Sequence, residues 1–251
     1  MERRNFLERI TQLAGSATIV PLLQTGSAAA QMVAENDGRL VSANAEYDAA
    51  GTKVTGYLSR LKGGQKRPAV LVIHENRGLT PHIQDVARRV AVEGFLGYAP
   101  DVMSLPGGLN SPDTVARLAA AVGFLAKHPE STGKVGVVGF CWGGGMVNRL
   151  AAAGTSLNAG VAYYGAQLPA EEVPKINVPL LLHYGANDAR INAGIEAYEA
   201  ALKANQKVYE KYMYEGAGHA FNNDTNTGGY NKEAATLAWE RTIKFLKKYL
   251  V

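Results

Sequence analysis

Apolar positions along the chain follow two rhythms, short unbroken runs and a helical period, and they alternate from residue 53 onward. After a polar lead-in at residues 31–52, Lys53–Leu61 reads as a strand. Pro68–His74 holds the run Ala69-Val70-Leu71-Val72-Ile73, the mark of a strand buried on both faces. A helical pattern follows from Pro81 to Glu93, with proline suited to its first turn. Phe95–Ala99 is a short strand, and a Gly- and Pro-rich loop leads to Ser111-Pro112-Asp113 and a helix ending near Lys127. Strands are then predicted at Lys134–Phe140, Ala159–Tyr164, Val178–Tyr184 and Val208–Tyr214. Helices are predicted at Gly143–Ala153, Ala193–Lys203 and from Lys232 to Tyr249. This alternation implies an α/β fold, a mostly parallel sheet with helices on both faces.

No repeat or low-complexity linker interrupts the pattern. With 251 residues, 47% of them hydrophobic, the chain can bury one sizeable core, so a single domain over residues 31–251 is expected. The formal charge of +4 changes little, because the basic residues are scattered. Lys244, Lys247 and Lys248 lie at helical spacing near the end of the last helix, where cations complement the dipole. No aromatic interleaving points to nucleic acid.

The first thirty residues read differently. Arg3-Arg4-Asn5-Phe6-Leu7 is a twin-arginine pattern, and Ser27-Ala28-Ala29-Ala30 offers a cleavage site. The apolar stretch between them is broken by Gln12, Gly15, Pro21 and Gln24, too short for the roughly 20 residues of a membrane span. Residues 1–30 are therefore expected to be a removed signal peptide that engages export machinery. That places the remainder in the periplasm or outside the cell.

The strongest chemical signal is Gly139-Phe140-Cys141-Trp142-Gly143-Gly144-Gly145, between a buried strand and a helix. A strand that turns at once into a helix projects its central side chain from the sheet, and glycines around it leave room for the crossing chains. At a helix N-terminus a cysteine is favoured as thiolate. A phosphate loop would carry Lys-Ser or Lys-Thr, but Met146-Val147 follows Gly145. Downstream, Asp188 lies just past the strand ending at Tyr184, and His219 lies in a Gly-rich loop before the last helix. That gives the order nucleophile, acid, histidine. His183 falls inside a strand, His82 and His128 at helix ends, and His74 before Glu75. The backbone N–H of Trp142, with one from the loop after His74, most simply that of Asn76, would form an oxyanion hole. Cys141 is the single cysteine, so no second thiol could resolve a sulfenate in a redox role. No metal-ligand spacing is present, and no cofactor is expected.

These residues resemble the dienelactone hydrolase family, a branch of the α/β-hydrolase superfamily. The resemblance rests on Val72-Ile73-His74-Glu75-Asn76, Tyr98-Ala99-Pro100-Asp101, the Cys141 turn, Tyr163-Tyr164-Gly165 and Gly218-His219. The stretches Asp188–Gly194 and Phe221–Thr225 are similar to a subgroup with twin-arginine leaders. The resemblance implies an α/β-hydrolase fold and a Cys141–Asp188–His219 triad. It also implies a Glu75 that contacts the resting thiol and is displaced by substrate. From the residues alone, Glu75 could equally pair with Arg77 or Arg88. Classical members grip a substrate carboxylate with two arginines, at positions occupied here by Leu105 and Asn223. Arg190, Arg77 and Tyr164 are the candidates to contact substrate instead. The expected activity is opening of activated esters or enol lactones through a thioester on Cys141. The alternatives are a broad esterase or thioesterase, or a binding protein that keeps the pocket without turnover. Oligomeric state stays open.

Overall fold

The structure is a computed structural model that describes residues 32–251; the twin-arginine segment and its cleavage site lie outside the described residues. Eight strands form one sheet: β1 (Leu40–Ala49), β2 (Thr52–Leu61), β3 (Arg67–Ile73), β4 (Leu96–Pro100), β5 (Ser131–Phe140), β6 (Ala159–Tyr163), β7 (Leu180–Gly185) and β8 (Tyr209–Tyr214). Their order is β1-β2-β4-β3-β5-β6-β7-β8. β1 and β2 form an antiparallel hairpin that joins β4 antiparallel, and every pairing from β4 to β8 is parallel. The carboxyl ends of the parallel strands therefore share one rim, where open α/β sheets place their chemistry.

The helices are α1 (Pro81–Val92), α2 (Thr114–Lys127), α3 (Trp142–Ala151), α4 (Ala189–Asn192), α5 (Ile195–Ala204) and α6 (Lys232–Leu250). The two-sided cover explains the unbroken apolar run of β3. Val70 and Val72 pack with Ile83, Val86 and Val90 of α1 and Leu246 of α6. Leu71 and Ile73 pack on the other face with Leu118 and Val122 of α2 and Val147 of α3. Alternate side chains of one strand thus enter opposite cores.

Two elements depart from the sequence pattern. β1 occupies the lead-in read as polar. It is an edge strand that buries only Leu40, Tyr47 and Ala49, so its polar residues face outward. It turns into β2 through Ala50 and Gly51, both at positive φ (53° and 85°), the geometry of a two-residue hairpin turn. The helix expected from Ala193 is preceded by the short α4, capped by Asp188, whose carboxylate accepts from the Ile191 amide at 3.3 Å.

A buried polar group pins α6 to the sheet. His183 Nδ1 is hydrogen-bonded to the Tyr214 hydroxyl at 2.8 Å and Nε2 to the Thr242 hydroxyl at 3.1 Å. Thr242 also meets the Tyr163 hydroxyl at 2.7 Å. Burial, with a smaller contribution from Arg241, pushes the His183 imidazole down to about 3. The unfolded chain takes up this proton near pH 6.5 and the fold does not, so acid favours unfolding. The stabilisation is complete above about pH 6.5 and declines by at most about 1.4 kcal/mol per pH unit below it. His219, whose imidazole is shifted upward, acts with the opposite sign and is already fully counted below that pH. In urea titrations at pH 7 and pH 5, the wild type should lose about 2 kcal/mol more stability than H183Q over that interval. Equal losses would rule out this residue as the source.

Candidate active site

β5 passes into α3 through Cys141, whose φ of 54° and ψ of −114° are strained for a residue with a side chain. The turn is possible because neighbouring backbones come within contact. A Cβ on Gly143 would lie 2.5 Å from the Ile73 carbonyl oxygen, and one on Gly144 would lie 2.6 Å from that of Tyr163. The Cys141 amide donates to the same Tyr163 carbonyl at 3.0 Å. Tyr164 and Ala220, beside the site, also take positive φ (39° and 62°).

The geometry brings the three expected residues together. Cys141 Sγ lies 3.0 Å from His219 Nε2, and His219 Nδ1 lies 2.5 Å from Asp188 Oδ2. Asp188 is buried and fixed as the cap of α4, while His219 is partly open to the cavity. The Tyr164 ring meets the imidazole edge-on at 5.1 Å between centroids. The hydrogen bond to Cys141 raises the His219 imidazole above its ordinary value, and Asp188 adds to this, against a burial effect that lowers it. With Nδ1 donating to Asp188, Nε2 can accept the thiol proton, and the resulting imidazolium is favoured by the carboxylate.

Glu75 follows β3, and its contacts differ from those the resemblance implies. The Asn223 amide donates to its Oε2 at 2.6 Å, and the Tyr164 hydroxyl donates to Oε1 at 3.4 Å. The thiol hydrogen-bonds to His219 instead. Neither arginine pairs with Glu75 either. Arg88 is buried with the Val33 carbonyl, the Tyr57 hydroxyl and Asp85.

Tyr164 does not line the cavity as a substrate contact would. It is fully buried, and burial followed by the Glu75 charge holds its hydroxyl well above the ordinary value, so it stays a donor. Leu105 packs against the apolar core and not at the cavity. Asn223 was conspicuous in sequence only as a missing arginine, and nothing local signalled that it would reach Glu75.

Cys141, His219, Glu75, Asn76, Arg77 and Arg190 border one cavity of about 460 Å³. Arg77 and Arg190 form no ion pair with any described residue. The Trp142 amide, first in its helix, and the Asn76 amide have no protein acceptor among the described residues. They are available to a developing oxyanion.

The loop that carries His219 is held by a buried charge cluster. Asp224 accepts from Arg89 at 2.7 Å and is hydrogen-bonded to His82 at 2.7 Å. Arg89 also meets Asp85, which accepts from the Met32 and Val33 amides at 3.0 and 2.9 Å.

A mixed sheet with helices on both faces, with a nucleophile turn after one parallel strand and an acid and a histidine after two later ones, defines the α/β-hydrolase fold. Residues 54–250 match the dienelactone hydrolase family, and the chain belongs to that family of hydrolases. Among its relatives is a protein of Saccharolobus solfataricus named "Putative carboxymethylenebutenolidase", 31% identical over 80% of this chain and 96% of its own. A protein of the same name from Salmonella typhimurium is 29% identical over 87% of this chain and 91% of its own. The crystal structure of a "Putative Dienelactone Hydrolase" from Klebsiella pneumoniae superposes with a TM-score of 0.77 at 28% identity, covering 84% of this chain and 99% of that one.

The crossing of backbones at the turn gives a sharp contrast within one run of glycines. Gly144→Ala should destabilise the fold by roughly 2–3 kcal/mol or more through overpacking. Gly145→Ala, whose Cβ would find its nearest neighbours at 3.6 Å, should be neutral or gain up to about 1 kcal/mol in helix propensity. Thermal denaturation of the two variants distinguishes these outcomes.

Proposed function

We propose that this hydrolase opens activated esters or enol lactones by acyl transfer to Cys141. The observation that carries the reading is the unbroken line of contacts from Sγ through the His219 imidazole to Asp188. His219 takes the thiol proton, and sulfur attacks the carbonyl carbon. The tetrahedral oxyanion is met by the Trp142 and Asn76 amides. The alkoxide or enolate leaves with the proton from His219, giving a thioester on Cys141. His219 then accepts a proton from water, whose oxygen attacks the thioester, and the acid departs as sulfur regains its proton. Because thiolate is itself a good leaving group, the intermediate from an ordinary alkyl ester reverts. Enol lactones, aryl esters and thioesters go forward.

The relatives' name denotes a butenolide, an unsaturated lactone, bearing a carboxymethylene group; an exocyclic double bond on the carbon that carries the ring oxygen makes such a ring an enol lactone, and that chemistry fits this leaving-group argument. Arg77 and Arg190 offer uncommitted guanidinium groups to a polar or anionic part of the substrate, in place of the arginines missing at Leu105 and Asn223. Glu75, held between Asn223 and Tyr164, is the group a bound substrate would displace.

C141A should lower turnover of p-nitrophenyl esters at least about a thousandfold, and iodoacetamide should silence the wild type in parallel. R77A and R190A should raise KM for carboxylated lactones more than for neutral esters. Absent turnover on every substrate, with a thiol that alkylates no faster than free cysteine, would favour a binding protein that keeps the pocket.

Export by the twin-arginine route belongs to the same reading and rests on Arg3-Arg4 and the Ala28-Ala29-Ala30 site. The full chain expressed in a bacterium should fractionate with the periplasm, and Arg3→Lys with Arg4→Lys should retain it in the cytoplasm. An unchanged distribution would sink this part.

A further inference from the structure

His74 lies at the end of β3, fully buried, and the mechanism above does not use it. Both ring nitrogens are engaged. Nδ1 lies 2.6 Å from the Glu75 carbonyl oxygen, and the Val102 amide donates to Nε2 at 3.3 Å. A backbone N–H can only donate, so Nε2 must be the acceptor and the proton must reside on Nδ1. The ring is therefore neutral, in a single tautomer, and its Nδ1–H donates to the Glu75 carbonyl. Burial works in the same direction by holding the imidazole below its ordinary value, against the Glu75 carbonyl and Asp101.

The peptide joining Glu75 to Asn76 is a rigid trans plane in which C=O and N–H point opposite ways. Fixing the carbonyl toward His74 turns the Asn76 N–H away from the imidazole, and Asn76 borders the cavity with Cys141. The same ring stacks on the Trp142 indole, with centroids 5.5 Å apart and planes 16° from parallel. Its carbonyl lies against the turn at Gly143. One side chain thus contacts Trp142 and the carbonyl of the peptide whose N–H belongs to Asn76.

We propose that His74 is a positioning residue that sets the oxyanion hole: its Nδ1–H fixes the Glu75–Asn76 peptide plane while its ring braces Trp142. This rests on the acyl-transfer reading of Cys141. Among the described residues His74 forms no hydrogen bond or ring contact with Cys141 or His219, so thiol reactivity and oxyanion stabilisation should separate when it is changed.

The test compares H74N, H74Q and H74F in the full chain. The readouts are kcat and KM on p-nitrophenyl acetate and the rate of alkylation by iodoacetamide, which forms no tetrahedral oxyanion. The asparagine amide nitrogen can occupy the place of Nδ1 and keep the donor to Glu75, whereas glutamine places its amide nearer the position of Nε2. H74F should lose on the order of tenfold to a hundredfold in kcat, somewhat less than deletion of an oxyanion donor. KM and alkylation rate should stay within about twofold. H74N should recover most of the loss and H74Q should not. Equal kcat in H74N and H74Q, or alkylation falling in step with kcat, would overturn the assignment. If H74F does not fold, the asparagine–glutamine comparison decides alone. A wild type without thiol-dependent turnover would instead overturn the acyl-transfer reading itself, a result visible before any His74 variant is made.

Discussion

At the end of β5 the backbone of the first turn of α3 touches that of β3 on one side and that after β6 on the other. No side chain fits between them at Gly143, Gly144 or Gly165. That contact forces Cys141 into a conformation that costs on the order of 1–3 kcal/mol, and the surrounding sheet over-determines it. The arrangement follows from this crossing. The thiol projects from the sheet rim, the Trp142 amide is left without an intrahelical partner, and the end of β3 is brought against the same turn. The later strands then deliver Asp188 and His219 to a point already fixed.

The two acidic groups at the site differ in what surrounds them. Asp188 is buried, caps a short helix with one oxygen and faces imidazole with the other, which suits a fixed group that orients its neighbour. Among the described residues Glu75 meets only neutral donors, an amide and a phenol, and it borders the open cavity. A carboxylate held by neutral groups is easier to move than one locked by a guanidinium, because charge-assisted bonds are roughly twice as strong. Asn223 thus holds Glu75 by an uncharged amide.

The parts of this molecule that were legible in sequence are those set by local pattern. Buried parallel strands announce themselves as apolar runs, and the strand-to-helix turn at Cys141 is written in consecutive residues. Asp188 and His219 could be picked out because chain order and the strand-end context restrict the choice. β1 was not legible, since an edge strand with one covered face needs few large apolar residues, and Leu40 and Tyr47 are too sparse to declare it. Nor were the partners of Glu75. Asn223 lies 148 residues away in sequence, and Tyr164, which follows β6, lies 89 residues away. Contacts made where separate segments meet at one rim of a sheet have no signature in either segment.

The charge cluster of Asp85, Arg89 and Asp224 has a consequence for how such a protein changes over generations. Losing one member strands a buried charge without its counterpart, a defect of several kcal/mol that a marginally stable fold tolerates poorly. The cluster ties the backbone at Met32 and Val33 to the loop of His219, so a change at Asp85, Arg89 or Asp224 is felt in both segments. Two stretches far apart along the polypeptide thereby hang on one buried anchor.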